Sequence, residues 1–201
     1  MNLLAHAYLS FRQPELLVGN MISDYVKGRA KYDYAPGILR GIDLHRAIDE
    51  FTDQHPVNLR AKKVFKPAVG LYAGAFLDIA YDHFLAADTL VFPADSLPQF
   101  SNWVYGSLEP YQDQFPDRFA RMFPHMRTHD WLSNYREREG IARSMEGLVR
   151  RAKYLDQSEG AFQLFEQEYA FLEASYQRFF PELILFVTNY YRAELKAPEK
   201  L

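Results

Sequence analysis

Between Gly41 and Pro56 the chain reads GIDLHRAIDEFTDQHP, and this stretch limits the fold more than any other. Read as a helix, it sets His45, Asp49 and Asp53 four residues apart, one above another. Ile42, Leu44, Ile48 and Phe51 lie among them, so the helix is partly apolar and bound for an interior. A buried, unpaired charge there would be costly, and neighbouring segments must supply partners. Solvated helix faces usually mix lysine with glutamate. An imidazole beside two short carboxylates instead suits a borderline to hard divalent cation, and a phosphate could complete its coordination.

The remaining helical signals follow in order. Asn2 is a suitable N-cap for a first short helix reaching Ser10, which places His6 among Leu3, Leu4, Tyr8 and Leu9 and predicts its burial. Pro14 suits the first turn of a second helix, about Glu15 to Val26, ending near Gly28. Within it Gly19-Asn20 permits close approach of a neighbour, and Asn20 and Asp24 stand four apart among Leu16, Leu17, Met21, Ile22 and Val26. Asp24 in such company requires a cap, an ion pair or a metal. Residues 57 to 66 predict a short basic helix with Arg60, Lys62, Lys63 and Lys66. The apolar run from Gly74 to Ala87 carries Asp78, Asp82 and His83, two carboxylates that repel unless a cation or proton lies between them.

Beyond Asp88 the chain predicts helices near Phe100 to Tyr111, Asp117 to Met126, Leu132 to Lys153 and Glu159 to Glu194, with Pro181 breaking or kinking the last. His129-Asp130 is an adjacent pair without ligand-like partners at helical spacing and is read as structural. Phe162, Phe165, Tyr169, Leu172, Tyr176 and Phe179 form a stripe that reads as core. No strand pattern survives, so the expected class is all-α: a single-domain helical bundle over residues 1–201, a length that needs only one core.

Composition narrows the chemistry. There is no cysteine, which excludes disulfides, thiolate metal sites and a thiol nucleophile, and accords with a reducing compartment. The first residues, MNLLAHAYLSF, lack a basic n-region, and no apolar run reaches the length of a membrane span, so a cytoplasmic protein without membrane association is expected. Net charge is -3, yet residues 27–66 hold nine Lys or Arg against five Asp or Glu, a local +4 that leaves -7 elsewhere. Such a face attracts an acidic partner or a phosphorylated substrate. Nucleic acid is not expected, because the basic segment is short and total charge negative.

Four blocks, MNLLAHAYLS, VGNMISDYVKG, GIDLHRAIDEFTDQHP and DIAYDHFLA, together resemble the acyl carrier protein phosphodiesterase family, over about the first ninety residues. That family is described as a divergent, all-α branch of the HD phosphohydrolases, metal-dependent with manganese favoured; magnesium or iron(II) are further options. The resemblance implies hydrolysis of the phosphodiester joining 4'-phosphopantetheine to a serine of holo acyl carrier protein. It implies a metal held by a subset of His6, Asp24, His45, Asp49, Asp78, Asp82 and His83. Asp49 or Asp82 would orient the attacking water, His83 or His45 would protonate the leaving alkoxide, and Arg46 would offset phosphoryl charge. Asp53 is expected to support the ligands or cap the helix before Pro56. Arg60, Lys62, Lys63 and Lys66 would dock the acidic carrier protein. The alternatives are an HD-like phosphohydrolase acting on a nucleotide or small phosphodiester, and a helical scaffold without activity. A ferritin-like di-iron protein is disfavoured, since its inward Glu-x-x-His pairs are missing.

Overall fold

The computed structural model describes residues 1–155 and 158–196, and among these there is no strand. Twelve α-helices follow one another: α1 (Leu3–Tyr8), α2 (Pro14–Ile22), α3 (Pro36–Gln54), α4 (Pro56–Ala61), α5 (Lys66–Val69), α6 (Ala73–Ala87), α7 (Ser96–Leu108), α8 (Asp117–Thr128), α9 (Trp131–Asn134), α10 (Arg138–Arg151), α11 (Glu159–Gln167) and α12 (Tyr169–Lys196). Short 3-10 turns, including Ser23–Tyr25, link several of them. No described helix is long and apolar enough to cross a membrane.

Helix α3 lies at the centre, packed on α2 along its length and on α4 and α12 further on. Proline opens α2, α3 and α4 at their first positions, where the missing N–H has no intrahelical partner to lose. On α3 the residues Ile38, Ile42, Leu44, His45 and Ile48 are buried, which fixes its inward face. Helix α6, buried along most of its length, packs against α1, α10 and α12. Of the predicted aromatic stripe, Phe165, Leu172, Tyr176 and Phe179 are buried in the core, with Phe162 and Tyr169 packed against it.

Three expectations are corrected. The basic stretch 57–66 is not one helix: α4 ends at Ala61, a turn carries Lys62 and Lys63, and α5 opens at Lys66 with Pro67 behind it. Pro181 does not break the last helix, which runs from Tyr169 to Lys196 through it; the interruption falls at Glu168 instead. One missing N–H is outweighed by burial of Phe179, Phe180, Leu183 and Val187 on either side. Helix α7 starts at Ser96, earlier than expected, because Pro98 is tolerated in a first turn.

Candidate metal centre

The site begins with two glycines. Gly19 of α2 and Gly41 of α3 face each other so closely that a Cβ on Gly41 would lie 2.3 Å from the Leu16 carbonyl oxygen and 2.8 Å from Gly19 Cα. With no side chains between them, the backbones approach, and the next residue on α2, Asn20, reaches His45, one turn beyond Gly41. The His45 ring donates from Nδ1 to the Asn20 carbonyl oxygen at 2.7 Å. That carbonyl belongs to the last turn of α2, where no intrahelical N–H is left to satisfy it.

The Asn20 side chain sets the second histidine. Its Nδ2 donates to the His6 carbonyl at 2.8 Å and to Ser10 Oγ at 3.1 Å. Its Oδ1 therefore faces His6 Nδ1 and accepts from it at 2.8 Å. One buried asparagine thus fixes both rings with Nδ1 as donor, leaving both Nε2 atoms pointing into one space. The rings are stacked, 3.9 Å between centroids and 15° from parallel.

Carboxylates close that space. Asp49 Oδ1 lies 3.2 Å from His6 Nε2 and Asp49 Oδ2 lies 3.1 Å from His45 Nε2, while Asp24 Oδ1 lies 3.1 Å from His45 Nε2. Donor atoms of His6, His45 and Asp49 all fall within 4.8 Å of one another. The imidazoles are 3% and 8% exposed, Asp49 40% and Asp24 72%, so the cluster opens to solvent past Asp24. Asp24 thus has the ion-pair partner that its apolar neighbours require, His45, while the 3-10 turn at Ser23–Tyr25 carries its side chain out to the rim.

Electrostatics match this geometry. Burial, reinforced by His45, holds His6 down to about 4, so the ring is neutral with its one proton on Nδ1. Its Nε2 is then a buried lone pair without a hydrogen-bond partner, 3.2 Å from a carboxylate oxygen. Two acceptors that close repel unless a positive charge joins them. Burial would lower His45, but hydrogen bonds and charge from Asp24 and Asp49 outweigh it and raise the ring to about 9. Asp49 is held well below the usual carboxylate range: burial alone would raise it, and the hydrogen bond from the charged His45 ring leads the effects that outweigh that. Two imidazole nitrogens with one or two carboxylates form a donor set suited to a divalent cation, and the orphaned His6 Nε2 is what such an ion would satisfy.

The other expected residues have different surroundings. Asp82, fully buried, accepts from the backbone N–H groups of Leu4 at 2.7 Å and Ala5 at 3.2 Å. It caps α1 from another helix, the role expected of Asn2, whose side chain instead donates to Tyr135 Oη at 2.8 Å. Burial pushes Asp82 up to about 7 against these N–H bonds. Asp78 lies 3.1 Å from the buried α-amino group of Met1, which also stands 3.6 Å from Asp49. His83 is turned elsewhere, with Nδ1 on the Tyr135 carbonyl at 2.8 Å and Nε2 on Tyr169 Oη at 2.9 Å. The adjacent Asp82-His83 pair therefore has its own partners, and the cluster draws His6 from α1, Asp24 from the 23–25 turn, and His45 and Asp49 from α3. Arg46 is exposed and donates to the Val26 carbonyl at 3.2 Å, holding the end of the segment that bears Asp24. Asp53 is exposed, as are Arg60, Lys63 and Lys66, with Lys62 half-buried. Asp130 of the His129-Asp130 pair accepts from Ser133 N and caps α9.

Sequence reading underrated Asn20. Its signal was the glycine before it, which brings a polar side chain between two helices where it must find partners.

The family model for acyl carrier protein phosphodiesterase matches residues 1–183. Curated relatives bearing that name include one from Photorhabdus laumondii, 34% identical over 92% of this chain and 93% of the relative. One from Yersinia pestis is 33% identical, over 92% of this chain and 96% of the relative. One from Enterobacter sp. is 30% identical, over 94% of this chain and 98% of the relative. No solved structure matches. By the extent of these matches, the chain belongs to the acyl carrier protein phosphodiesterase family.

Proposed function

We propose that this protein is a metal-dependent phosphodiesterase that hydrolyses the bond between 4'-phosphopantetheine and the serine of holo acyl carrier protein, giving apo carrier protein and free 4'-phosphopantetheine. The observation that carries the reading is the lone pair of His6 Nε2, buried and unpartnered, facing the Asp49 carboxylate beside His45. His6, His45 and Asp49 would hold a divalent cation, with Asp24 at the open edge; manganese is the ion proposed, following the family resemblance. When bound, the cation supplies a Lewis acid for a phosphoryl oxygen and lowers the pKa of the attacking water.

The protein's own groups do the rest. Asn20 keeps both rings in the tautomer that offers Nε2. Asp24, held ionised mainly by its hydrogen bond with His45 and with most of its side chain exposed, accepts a proton from the water that attacks phosphorus. The serine oxygen leaves opposite the attack and takes a proton from solvent water at the open side of the cluster. Relatives named for acyl carrier protein give the substrate class, and the +4 segment at 27–66 offers an acidic carrier protein a docking face through Arg60, Lys62, Lys63 and Lys66.

The test is mass spectrometry of holo acyl carrier protein incubated with the purified chain and manganese. Loss of the prosthetic arm together with its phosphate is the expected result. An unchanged carrier mass, or loss of the arm without phosphate, would overturn the reading.

A further inference from the structure

Where α1 passes toward α2, the chain borders a groove of about 430 Å3 that the metal centre does not use. Leu9, Val91, Phe92, Phe100 and Ile184 give it apolar walls drawn from the end of α1, the segment after α6, α7 and α12. The volume is that of a small-ligand site, about 300–1,000 Å3. None of the lining residues belongs to the His6, Asp24, His45 and Asp49 cluster.

Strained backbone marks the borders of the groove. Among the described residues, four other than glycine have a left-handed backbone, and three of them stand here. Phe11 (φ 50°) and Arg12 (φ 54°) line it, and Ala94 (φ 46°) sits in the segment that brings Pro93 and Ser96 to it. Such φ values are costly where a Cβ is present, and they gather at ligand clamps. Helix α12 holds the strained pair in place: the Tyr191 ring packs on Phe11 with 5.2 Å between centroids, and its hydroxyl donates to Gln13 Oε1 at 2.6 Å.

Arg12 is the cation of the groove. Its guanidinium lies 5.5 Å from the centre of the Phe100 ring and 5.3 Å from that of Trp103. Arg138, the other arginine stacked on a ring among the described residues, is ion-paired with Glu166, whereas Arg12 has no hydrogen bond or ion pair with a described residue. Stacking orients the guanidinium and leaves the N–H donors at its edge for a carboxylate. Ser96 also lines the groove, and its buried hydroxyl has no partner, a deficit that turning to a ligand oxygen would end. A neutral apolar ligand would leave the cation unused, and a small hydrophilic anion would leave the walls wet.

We propose that this groove binds a medium-chain alkyl carboxylate, its chain along the apolar walls and its carboxylate on Arg12. The site is separate from the metal centre and does not depend on the reaction assigned there.

Sodium octanoate is the probe, titrated calorimetrically into the full chain with and without manganese. Saturable binding of equal affinity in both is expected. Trp103 fluorescence should change along the same curve, and Trp103→Phe should remove that change although Trp131 remains. Arg12→Gln, a change at an exposed position, should keep the wild-type unfolding midpoint. It should weaken octanoate about tenfold and leave octanol within about twofold of wild type. Hexanoate should bind about fifteenfold more weakly than octanoate, since each methylene is worth about fourfold. Octanoate that fails to saturate, that binds only with manganese, or that binds Arg12→Gln as tightly as wild type overturns the proposal. Equal losses of octanoate and octanol in Arg12→Gln also overturn it, because the arginine would then be part of the wall and no receiver of charge.

Discussion

Replacing Gly41 by alanine tests whether a helix crossing sets the metal site. The new Cβ would sit 2.3 Å from the Leu16 carbonyl oxygen and 2.8 Å from Gly19 Cα, against an ordinary contact of about 3.5 Å. Both obstacles are backbone, so α2 and α3 must part by about 1 Å. The bond from His45 Nδ1 to the Asn20 carbonyl, now 2.7 Å, would then stretch to about 3.7 Å, past the usual limit of about 3.2 Å. Losing that buried bond costs about 1 kcal/mol, and overpacking adds ~1–3 kcal/mol, so urea unfolding should show a loss of ~2–4 kcal/mol. A freed His45 should also weaken manganese binding ~10–100-fold, measured by competition with a chelating dye. Gly74→Ala is the control, because a Cβ there meets nothing within 4 Å and should leave stability within about 1 kcal/mol of wild type. A Gly41→Ala protein with wild-type urea midpoint and manganese affinity would refute the role given to the crossing.

Three further outcomes are expected. Asp49→Asn should abolish manganese binding and cleavage of holo carrier protein while the chain stays folded, whereas Asp82→Asn should keep its manganese and lose ~1–3 kcal/mol, since an amide has one oxygen for two N–H groups; metal analysis and urea melts separate them. In chelated protein, His45 is raised from 6.5 to about 9 and the Met1 α-amino group from 8.0 to about 10, so the folded state binds more protons than the unfolded state over those ranges. Their stabilisation is complete below the unfolded values and is lost as pH rises through 9 and 10, by up to ~1.4 kcal/mol per unit for each proton; urea midpoints that climb from pH 7 to 9 would contradict it. Charge reversal at Lys62 and Lys63 should raise KM for holo carrier protein, more so at low salt, and leave a small phosphodiester unaffected, with equal losses on both substrates counting against docking there.

The helical class was readable because periodicity and proline at first turns are local signals: α2, α3 and α6 lie close to where the pattern puts them. Pro181 misled because a proline penalty is also local, whereas the burial that carries α12 through it depends on partners elsewhere in the chain. The four-residue step from His45 to Asp49 was legible for the same reason as the helix; His6 and Asp24, already candidate ligands through the family resemblance, meet that step through contacts between elements that spacing alone does not show. Sequence cannot distinguish a carboxylate facing imidazole rings from one facing backbone N–H groups, so Asp82 read like Asp49 although it caps α1.

Helix α1 has six residues and its own N-cap side chain is turned away, so its first N–H groups depend on a carboxylate 78 positions later. A segment so short has little helicity by itself. His6 therefore reaches its place only after α6 has docked, a long loop closure that belongs late in refolding. Recovery of manganese binding after dilution from denaturant should accordingly lag behind the far-ultraviolet helical signal, so that ion uptake times the completion of the tertiary structure.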